Sequence, residues 1–158
     1  MKIQLIWAQE NDGGMGINND LPWHISADMK NFKKLTLNRA VIMGRKTWES
    51  LPLKPLPKRR NVVLSSKQIS GVECYTSIDD CLTGLKTETD IFIIGGAQIY
   101  KSFFPYANSL HITFIDEKTE GIDTYFPIPL SQIKRFFIRK ESQLLTENAQ
   151  YTCWSKVS

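Results

Sequence analysis

One acidic residue, Asp28, stands on the predicted apolar face of a helix, where a carboxylate could bind a ligand. The helix is predicted to follow Ser26 and to run to about Thr36. Asp28, Phe32 and Leu35 share one face at the i, i+4, i+7 spacing, with Met29 beside them. A buried carboxylate is costly without a hydrogen-bond donor, which a ligand could supply. The alternative is that Asp28 only complements the positive end of the helix dipole.

The segment before this helix has the composition of a functional loop. Residues 10–20 are polar and contain three glycines, and long loops in compact domains are often lids. Pro22 ends this segment, and Ser26 is a good N-cap for the helix. The alternative is a mobile surface loop, but its direct connection to Trp23 favours a lid.

Two predicted strands end in residues that suit an anionic ligand. The first, residues 40–44, ends in Gly44 and runs directly into a helical turn over residues 45–50 that starts with Arg-Lys. Backbone at such a junction can approach a phosphate closely. The second, residues 61–66, ends in two serines before Lys67. A capped turn explains these serines equally well.

A third strand, residues 90–94, is predicted at the centre of the sheet and is followed by Gly95-Gly96 and the start of a helix. This is a further candidate anion site. The segment lacks the G-x-G-x-x-G pattern, so the dinucleotide fold with that fingerprint is not supported.

The order of elements predicts an α/β fold. Ser77 is predicted to cap a helix, and Leu110, Ile112 and Phe114 alternate with Thr113 along a strand. Strands alternate with helices up to about residue 116, after which residues 135–140 and 150–157 are predicted to form an antiparallel hairpin. We therefore expect residues 1–158 to form one domain, a three-layer sandwich of four helices around a mostly parallel eight-stranded sheet with an antiparallel C-terminal edge strand.

Composition narrows the class of protein. The chain of 158 residues has a net charge of +4, and its densest basic run, residues 58–60, is too short for a nucleic-acid arm. No stretch approaches the ~20 apolar residues of a membrane span. The three cysteines, Cys74, Cys81 and Cys153, show no metal or redox spacing and are expected to be free thiols in a reducing compartment. We expect a cytoplasmic protein without a metal site, either a nucleotide-cofactor enzyme or a nucleotide-binding regulator.

Taken in order, these motifs resemble dihydrofolate reductases of the bacterial chromosomal type. Each motif alone is weak, but the ordered set is highly specific and extends from Ile3 to near Trp154. The resemblance implies NADPH-dependent reduction of 7,8-dihydrofolate to tetrahydrofolate in one-carbon metabolism, by a monomer that antifolates also bind. The matching residues are Leu21-Pro22-Trp23, Asp28 with Phe32, Val41 to Ser50, Leu56-Pro57 with Arg59 and Asn61, Leu64-Ser65-Ser66, Ile93 to Gly96 with Tyr100, and Thr113 with Ile115-Asp116.

The resemblance implies roles on the substrate side. Asp28 would hold the 2-amino group and the N3 side of the pterin, supported by the hydroxyl of Thr113. Hydride would go to C6 and a proton to N5, with Trp23 holding an ordered water and water under Leu21 delivering the proton. Arg59 would grip the glutamate α-carboxylate through its planar fork. The walls of the ring and the aminobenzoate would be Ile6, Ala8, Met29, Phe32, Leu51, Leu56 and Ile94.

The resemblance also implies an NADPH site across the strand ends. Residues 45–47 would contact phosphates, Ser65 and Ser66 with Arg45 the 2′-phosphate, and Tyr100 would approach the nicotinamide. Residues 95–96 match a non-proline cis peptide of the family. The full set of cofactor residues comprises Ala8, Met15, Gly16, Ile17, Asn19, Leu21, Gly44, Arg45, Lys46, Thr47, Leu64, Ser65, Ser66, Lys67, Gly95, Gly96, Ala97, Gln98, Ile99 and Tyr100, of which Met15, Gly16, Ile17, Asn19 and Leu21 would form the lid.

Two other functions compete with this one. The pyrimidine reductase of riboflavin synthesis shares the fold and NADPH but does not need Trp23, Asp28 and Arg59 together. A basic nucleotide- or RNA-binding module without turnover would bind polyanions in a salt-dependent way. The scattered distribution of the Lys and Arg residues argues against that module.

Overall fold

A computed structural model describes residues 1–157 and contains one eight-stranded sheet and a two-stranded ribbon. The strands are β1 (Lys2–Glu10), β2 (Gly14–Gly16), β3 (Ala40–Gly44), β4 (Arg60–Leu64), β5 (Glu73–Tyr75), β6 (Asp90–Gly95), β7 (Ser109–Ile115), β8 (Thr124–Tyr125), β9 (Phe137–Thr146) and β10 (Ala149–Lys156). The helices are α1 (Ser26–Thr36), α2 (Arg45–Ser50), α3 (Ile78–Gly84), α4 (Ala97–Phe103) and α5 (Leu130–Phe136), with a 3-10 turn over Phe104–Tyr106.

The main sheet has the strand order β5-β4-β3-β6-β1-β7-β10-β9, with β2 and β8 paired in the separate ribbon. Its first six strands are parallel to one another, which confirms the predicted α/β class and the central place of β6. The antiparallel strand, β10, was predicted at the edge and instead lies between β7 and β9. A hairpin signal does not say which of its two strands joins the existing sheet, and here the second one does.

Each face of the sheet carries its own hydrophobic cluster, which makes the fold a three-layer sandwich. One cluster contains Leu5, Ile93 and Ile112 and is covered by residues of α3, α4 and α5. The other contains Ile6 and Phe92 and is covered by α1 and α2. Adjacent strand residues alternate between the two clusters because side chains point to opposite faces of a strand.

Two local predictions were wrong. Ser26 is the first residue of α1 and does not cap it; Ile25 is the N-cap, with an extended backbone and no side-chain hydrogen bond. Residues 1–157 contain five α-helices where four were predicted, because residues 130–136 form α5 before β9 begins at Phe137. This helix buries only Ile133, so its sequence shows almost no helical periodicity.

The remaining boundaries agree only in part: the strand predicted over residues 135–140 covers Phe137–Thr146, whereas α3 starts where it was predicted. Ser77 caps α3 by accepting a hydrogen bond from the backbone N–H of Asp80 at 3.1 Å. Part of the predicted loop over residues 10–20 forms strands instead, since β1 extends through Glu10 and β2 pairs with β8.

The three cysteines are free thiols. Among residues 1–157, no helix is both long enough and apolar enough to cross a membrane.

Candidate active site

The first turn of α1 brings Asp28 against the central part of the sheet. The hydroxyl of Thr113, on β7, donates to Oδ1 of Asp28 at 2.7 Å. Thr113 is buried and lies beside Ala8 of β1 in the parallel register. Burial raises the pKa of Asp28, and the hydrogen bond from Thr113 partly offsets this. The predicted apolar-face carboxylate therefore exists and has one fixed donor.

Apolar side chains predicted to wall the substrate lie together beside this carboxylate. They belong to the cluster on the α1 face of the sheet, which also contains Val41, Met43 and Phe92. Residues of this cluster come from β1, α1, β6 and the segment after α2, so only the fold assembles them. The predicted wall residues found in this cluster are Ile6, Phe32, Leu51, Leu56 and Ile94.

Three other residues predicted near the pterin lie outside this cluster. Met29 and Leu21 are 55% and 57% exposed and lie outside the apolar cluster. Trp23 is half-buried, and its indole N–H donates to Oε2 of Glu10 at 2.8 Å. Because an indole has one N–H, this donor is already used within the protein.

Arg59 is held in place beside the C-terminal end of α1. Its Nε donates to the carbonyl of Pro57 at 2.9 Å, and Nη1 donates to the Thr36 hydroxyl at 3.2 Å. Asn61 fixes this loop by donating to the carbonyl of Arg59 and pairing with the backbone of Leu56. Burial lowers the pKa of Arg59, but a guanidinium remains charged at neutral pH.

A cradle of glycines lies at the carboxyl ends of β3 and β6. Met43 pairs with Gly95, and the Gly95–Gly96 peptide is cis. Gly95 has φ +126°, a conformation that L side chains rarely adopt. A Cβ on Gly44 would lie 3.0 Å from Cγ1 of Ile99, whereas one on Gly96 would meet only the Thr47 hydroxyl, at 3.6 Å. Gly95 is buried and Gly96 is half-buried, so the backbone becomes accessible at Gly96, between the two helix starts.

The backbone N–H groups at these two helix starts have no side-chain cap to bond with. Gly44 and Gly96 are the N-caps of α2 and α4, and neither helix has a side-chain cap. The first backbone N–H groups of a helix have no partner within it, so a phosphate can accept from them. Lys46 and Gln98 are exposed next to these starts. Arg45 is also exposed and donates to Glu49 at 2.8 Å, so an anion would compete with that carboxylate.

The serine turn after β4 is next to this cradle. Leu64 pairs with Gly44 in the register of β3 and β4. The Ser65 hydroxyl accepts from the backbone N–H of Lys67 at 3.2 Å, which is the capped turn that the sequence left open. Ser66 and Lys67 are exposed at the same strand end, available to an anionic group.

The glycine-rich segment is tied to the connection that follows β7. Asp123 donates its backbone N–H to the carbonyl of Gly16, and its Oδ2 accepts from the backbone of Asn18 at 2.9 Å. Asn19 is exposed with φ +63°, and Ile17 is half-buried. Met15, predicted as a lid residue, is buried in the main core cluster on the α4 face.

Tyr100 links α4, which begins at the glycine cradle, to β1. It is buried, and its hydroxyl donates to the carbonyl of Ile6 at 2.7 Å. Its ring packs against Trp7 and Phe126, which stack at 3.7 Å. Burial raises the pKa of the Tyr100 phenol, which therefore stays protonated as a donor.

Two polar residues of the site were missed from the sequence. Glu10 was assigned to the loop, but it is the last residue of β1 and is buried. The signal available in the sequence was its position directly after an apolar strand. Its partner Thr119 is 109 residues away and carries no local signal.

The fold and the site define the class of protein: an α/β protein in which two helices start without side-chain caps at the carboxyl ends of β3 and β6, beside an apolar cluster and a carboxylate held by Thr113. A family model described as dihydrofolate reductase matches residues 2–155. The chain belongs to the dihydrofolate reductase family and is an NADPH-dependent oxidoreductase that reduces dihydrofolate.

Known relatives agree with this assignment. The dihydrofolate reductase of Buchnera aphidicola subsp. Acyrthosiphon pisum is 44% identical over 129 residues, 80% of each chain. That of Neisseria meningitidis serogroup B is 45% identical over 130 residues, 80% of each chain. That of Bacillus subtilis is 41% identical over 128 residues, which cover 79% of this chain and 75% of the other. The solved structure of the Enterococcus faecalis enzyme, in complex with NADP(H) and RAB-propyl, matches with a TM-score of 0.88 and 29% identity over 99% of this chain and 97% of that one.

Proposed function

We propose that the Asp28 pocket binds the pterin of dihydrofolate and that the glycine cradle binds NADPH. The observation that carries this is the geometry of Asp28, whose side chain has Thr113 as its hydrogen-bond partner within residues 1–157. A carboxylate offers about four acceptor positions, so it can also accept two parallel hydrogen bonds. The 2-amino group and N3 side of a pterin present such a pair of donors.

The residues around the cradle suit a phosphorylated cofactor. The half-buried Gly96 leaves its backbone accessible, and α2 and α4 begin at the cradle without side-chain caps. Lys46, Thr47 and Arg45 would hold phosphates, with the exposed Ser66 and Lys67 on the 2′-phosphate. When bound, NADPH supplies the hydride that reduces C6 of the pterin. Tyr100, Ala97, Ile99 and the lid residues Gly16, Ile17, Asn19 and Leu21 would line its nicotinamide end.

The chain itself has to favour protonation of N5 of the pterin. Asp28 would act as an ionised partner whose charge stabilises the protonated pterin, and the Thr113 hydrogen bond favours that ionised form. Trp23 and Leu21 would shape the place where water delivers the proton. Because the Trp23 N–H is donated to Glu10, the water contact would have to share or displace this bond.

Replacing Asp28 by Asn tests this role. We expect turnover at neutral pH to fall about a hundredfold or more, since removing one preorganised electrostatic contact to a developing charge typically costs about 10²–10³-fold. The loss should shrink at low pH, where the substrate is already protonated. The measurement is the rate of NADPH absorbance loss with dihydrofolate, across pH.

Two comparisons sharpen this test. Asp116→Asn removes an exposed carboxylate just beyond β7 and should leave the rate unchanged. Equal losses for Asp28→Asn at neutral and low pH would contradict the proposed electrostatic role. Wild-type turnover of dihydrofolate in the same assay separates this activity from pyrimidine reduction.

We also propose that Arg59 binds the α-carboxylate of the glutamate tail. Thr36 and the Pro57 carbonyl use two of its donors and orient the planar fork, which leaves the others for a bidentate contact. Antifolates with the same donor pair as the pterin would occupy the Asp28 pocket.

We further propose that residues 1–158 form a single domain that acts as a cytoplasmic monomer. One sheet supports both hydrophobic clusters and both halves of the site. Three free thiols suit a reducing compartment. Light scattering coupled to size exclusion should give the mass of one 18.1 kDa chain.

A further inference from the structure

We propose that Glu10 is a positioning residue that orients the Trp23 indole at the wall of the folate pocket. It would do so by accepting the only N–H of the indole while being held itself by Thr119. This inference rests on the proposed location of the folate pocket.

One carboxylate joins three separate segments. Glu10 ends β1 and is 2% exposed. Its Oε2 accepts from Nε1 of Trp23 at 2.8 Å and from the Thr119 hydroxyl at 2.6 Å. Its Oε1 accepts from the backbone N–H of Thr119 at 3.1 Å. Trp23 is five residues before Asp28, and Thr119 lies in the connection between β7 and β8.

The arrangement of donors requires a carboxylate. An N–H group faces each oxygen of Glu10, from Trp23 on one side and from the backbone of Thr119 on the other. A glutamine has one carbonyl oxygen and one NH₂ group, so in either orientation its NH₂ would face an N–H donor. Burial raises the pKa of Glu10, but the hydrogen bonds from Thr119 and Trp23 outweigh this and the pKa is lowered overall. Glu10 is therefore an ionised acceptor at neutral pH.

Packing alone does not fix the indole. Trp23 is half-buried, and it borders a surface cavity of about 730 Å³ that is also lined by Thr119 and Asn148. Lateral contacts on one side of the ring are therefore missing, and the hydrogen bond to Glu10 is what sets the orientation of the ring. Hydrogen bonds to charged groups are about twice as strong as neutral ones.

The first experiment uses Glu10→Gln in a double-mutant cycle with Trp23→Phe. We expect E10Q to lower kcat/KM for dihydrofolate about tenfold, equivalent to about 1.4 kcal/mol. The Kd for NADPH should change less than twofold, since the cradle is not touched. In the W23F background, which lacks the indole N–H, E10Q should change kcat/KM less than twofold. Glu88→Gln is the matched control, because Glu88 is a partly buried acid that bonds Arg60 and should leave kcat/KM unchanged.

The second experiment does not depend on activity or on the folding of E10Q. The W23F variant assigns the Trp23 indole N–H resonance in the wild-type NMR spectrum. We expect this proton to exchange with water at least tenfold more slowly than that of Trp48, whose indole has no hydrogen-bond partner among the described residues.

The outcomes are distinguishable. Equal exchange rates for Trp23 and Trp48 would overturn the Glu10 contact, as would an undiminished E10Q effect in the W23F background. If wild-type protein exchanged as expected but did not turn over dihydrofolate, the contact would stand and the function assigned to the pocket would fail.

Discussion

At the scale of single residues, the proposed chemistry depends on how one carboxylate is kept ionised inside an apolar pocket. Burial raises the pKa of Asp28, and the hydroxyl of Thr113 opposes that shift by donating to the ionised form. The position of Thr113 on β7 is fixed by its register between Ala8 and Tyr151. The sheet thus sets the charge state of a residue on a helix.

Removing that donor should move the pH profile of the enzyme. In Thr113→Val the pKa of Asp28 should rise further. Asp28 then becomes protonated at a higher pH than it does in the wild-type protein. We expect the acid limb of kcat/KM to shift upward by about one pH unit, or about 1.4 kcal/mol, within the range for a hydrogen bond to a charge.

Thr152→Val is the matched control for this prediction. Thr152 is also a buried threonine, but its hydroxyl donates to the Ile112 carbonyl and accepts from Trp154. This variant should lower stability and leave the acid limb in place. An unshifted profile in Thr113→Val would contradict the role of Thr113.

At the scale of elements, a polar cluster connects α3, β4 and β5. Arg60 makes two hydrogen bonds with Glu73 and one with Glu88, and its guanidinium also donates to the Gly84 carbonyl. The Tyr75 hydroxyl donates to Glu73 at 2.6 Å. Tyr75 lies directly against Gly84 at the end of α3, where there is no room for a side chain.

Gly84→Ala should therefore destabilise the protein. The added Cβ would overlap the Tyr75 ring and hydroxyl, and overpacking of this kind costs about 1–3 kcal/mol. For a chain of this size, each 1 kcal/mol lowers Tm by about 2–4 °C. Thermal unfolding would measure the loss.

Two further variants check the cause. Thr83→Ala changes an exposed neighbour on the same helix and should leave Tm within 1–2 °C, about the range of a surface substitution. In a Tyr75→Ala background the effect of Gly84→Ala should largely disappear. A persistent loss in that background would rule out the steric explanation.

At the scale of the whole molecule, a buried histidine links three strands of the sheet. His111 of β7 lies 2.6 Å from both the Tyr151 hydroxyl on β10 and Oε1 of Gln4 on β1. Gln4 in turn donates to Asp90, which pairs with Arg39. In this network the ring is neutral, donating from Nε2 to the amide oxygen and accepting from the phenol.

Stability should consequently fall in mild acid. Burial, with a smaller contribution from Lys2, lowers the pKa of His111 to about 4 from an ordinary value near 6.5. The unfolded chain then binds a proton that the folded chain does not, so stability is complete above about pH 6.5 and is lost as the pH falls toward 4. The loss from this residue amounts to roughly 3 kcal/mol.

Urea unfolding between pH 4 and 7 would measure this effect. His111→Gln should flatten the slope of unfolding free energy against pH in that interval, whereas His24→Gln should not, because His24 is exposed. Identical slopes for His111→Gln and wild type would contradict the prediction.

Local signals in the sequence account for the parts of the site that lie on single elements. Helical spacing placed Asp28 and Phe32 on one apolar face, and strand-to-helix junctions located Gly44 and the Gly95-Gly96 pair. These predictions succeeded because periodicity and glycine conformation act over a few residues.

By itself, then, the sequence determined the α/β class, the apolar-face acid and the glycine-containing strand-to-helix junctions. Only the tertiary structure decided that Glu10 bonds to Trp23 and Thr119, that Thr36 orients Arg59, and that β10 lies between β7 and β9. The Glu10–Thr119 and Arg59–Thr36 contacts span 109 and 23 residues, and the position of β10 depends on which hairpin strand joins β7. Each is set by the register and packing of the whole sheet, which no short stretch of residues encodes.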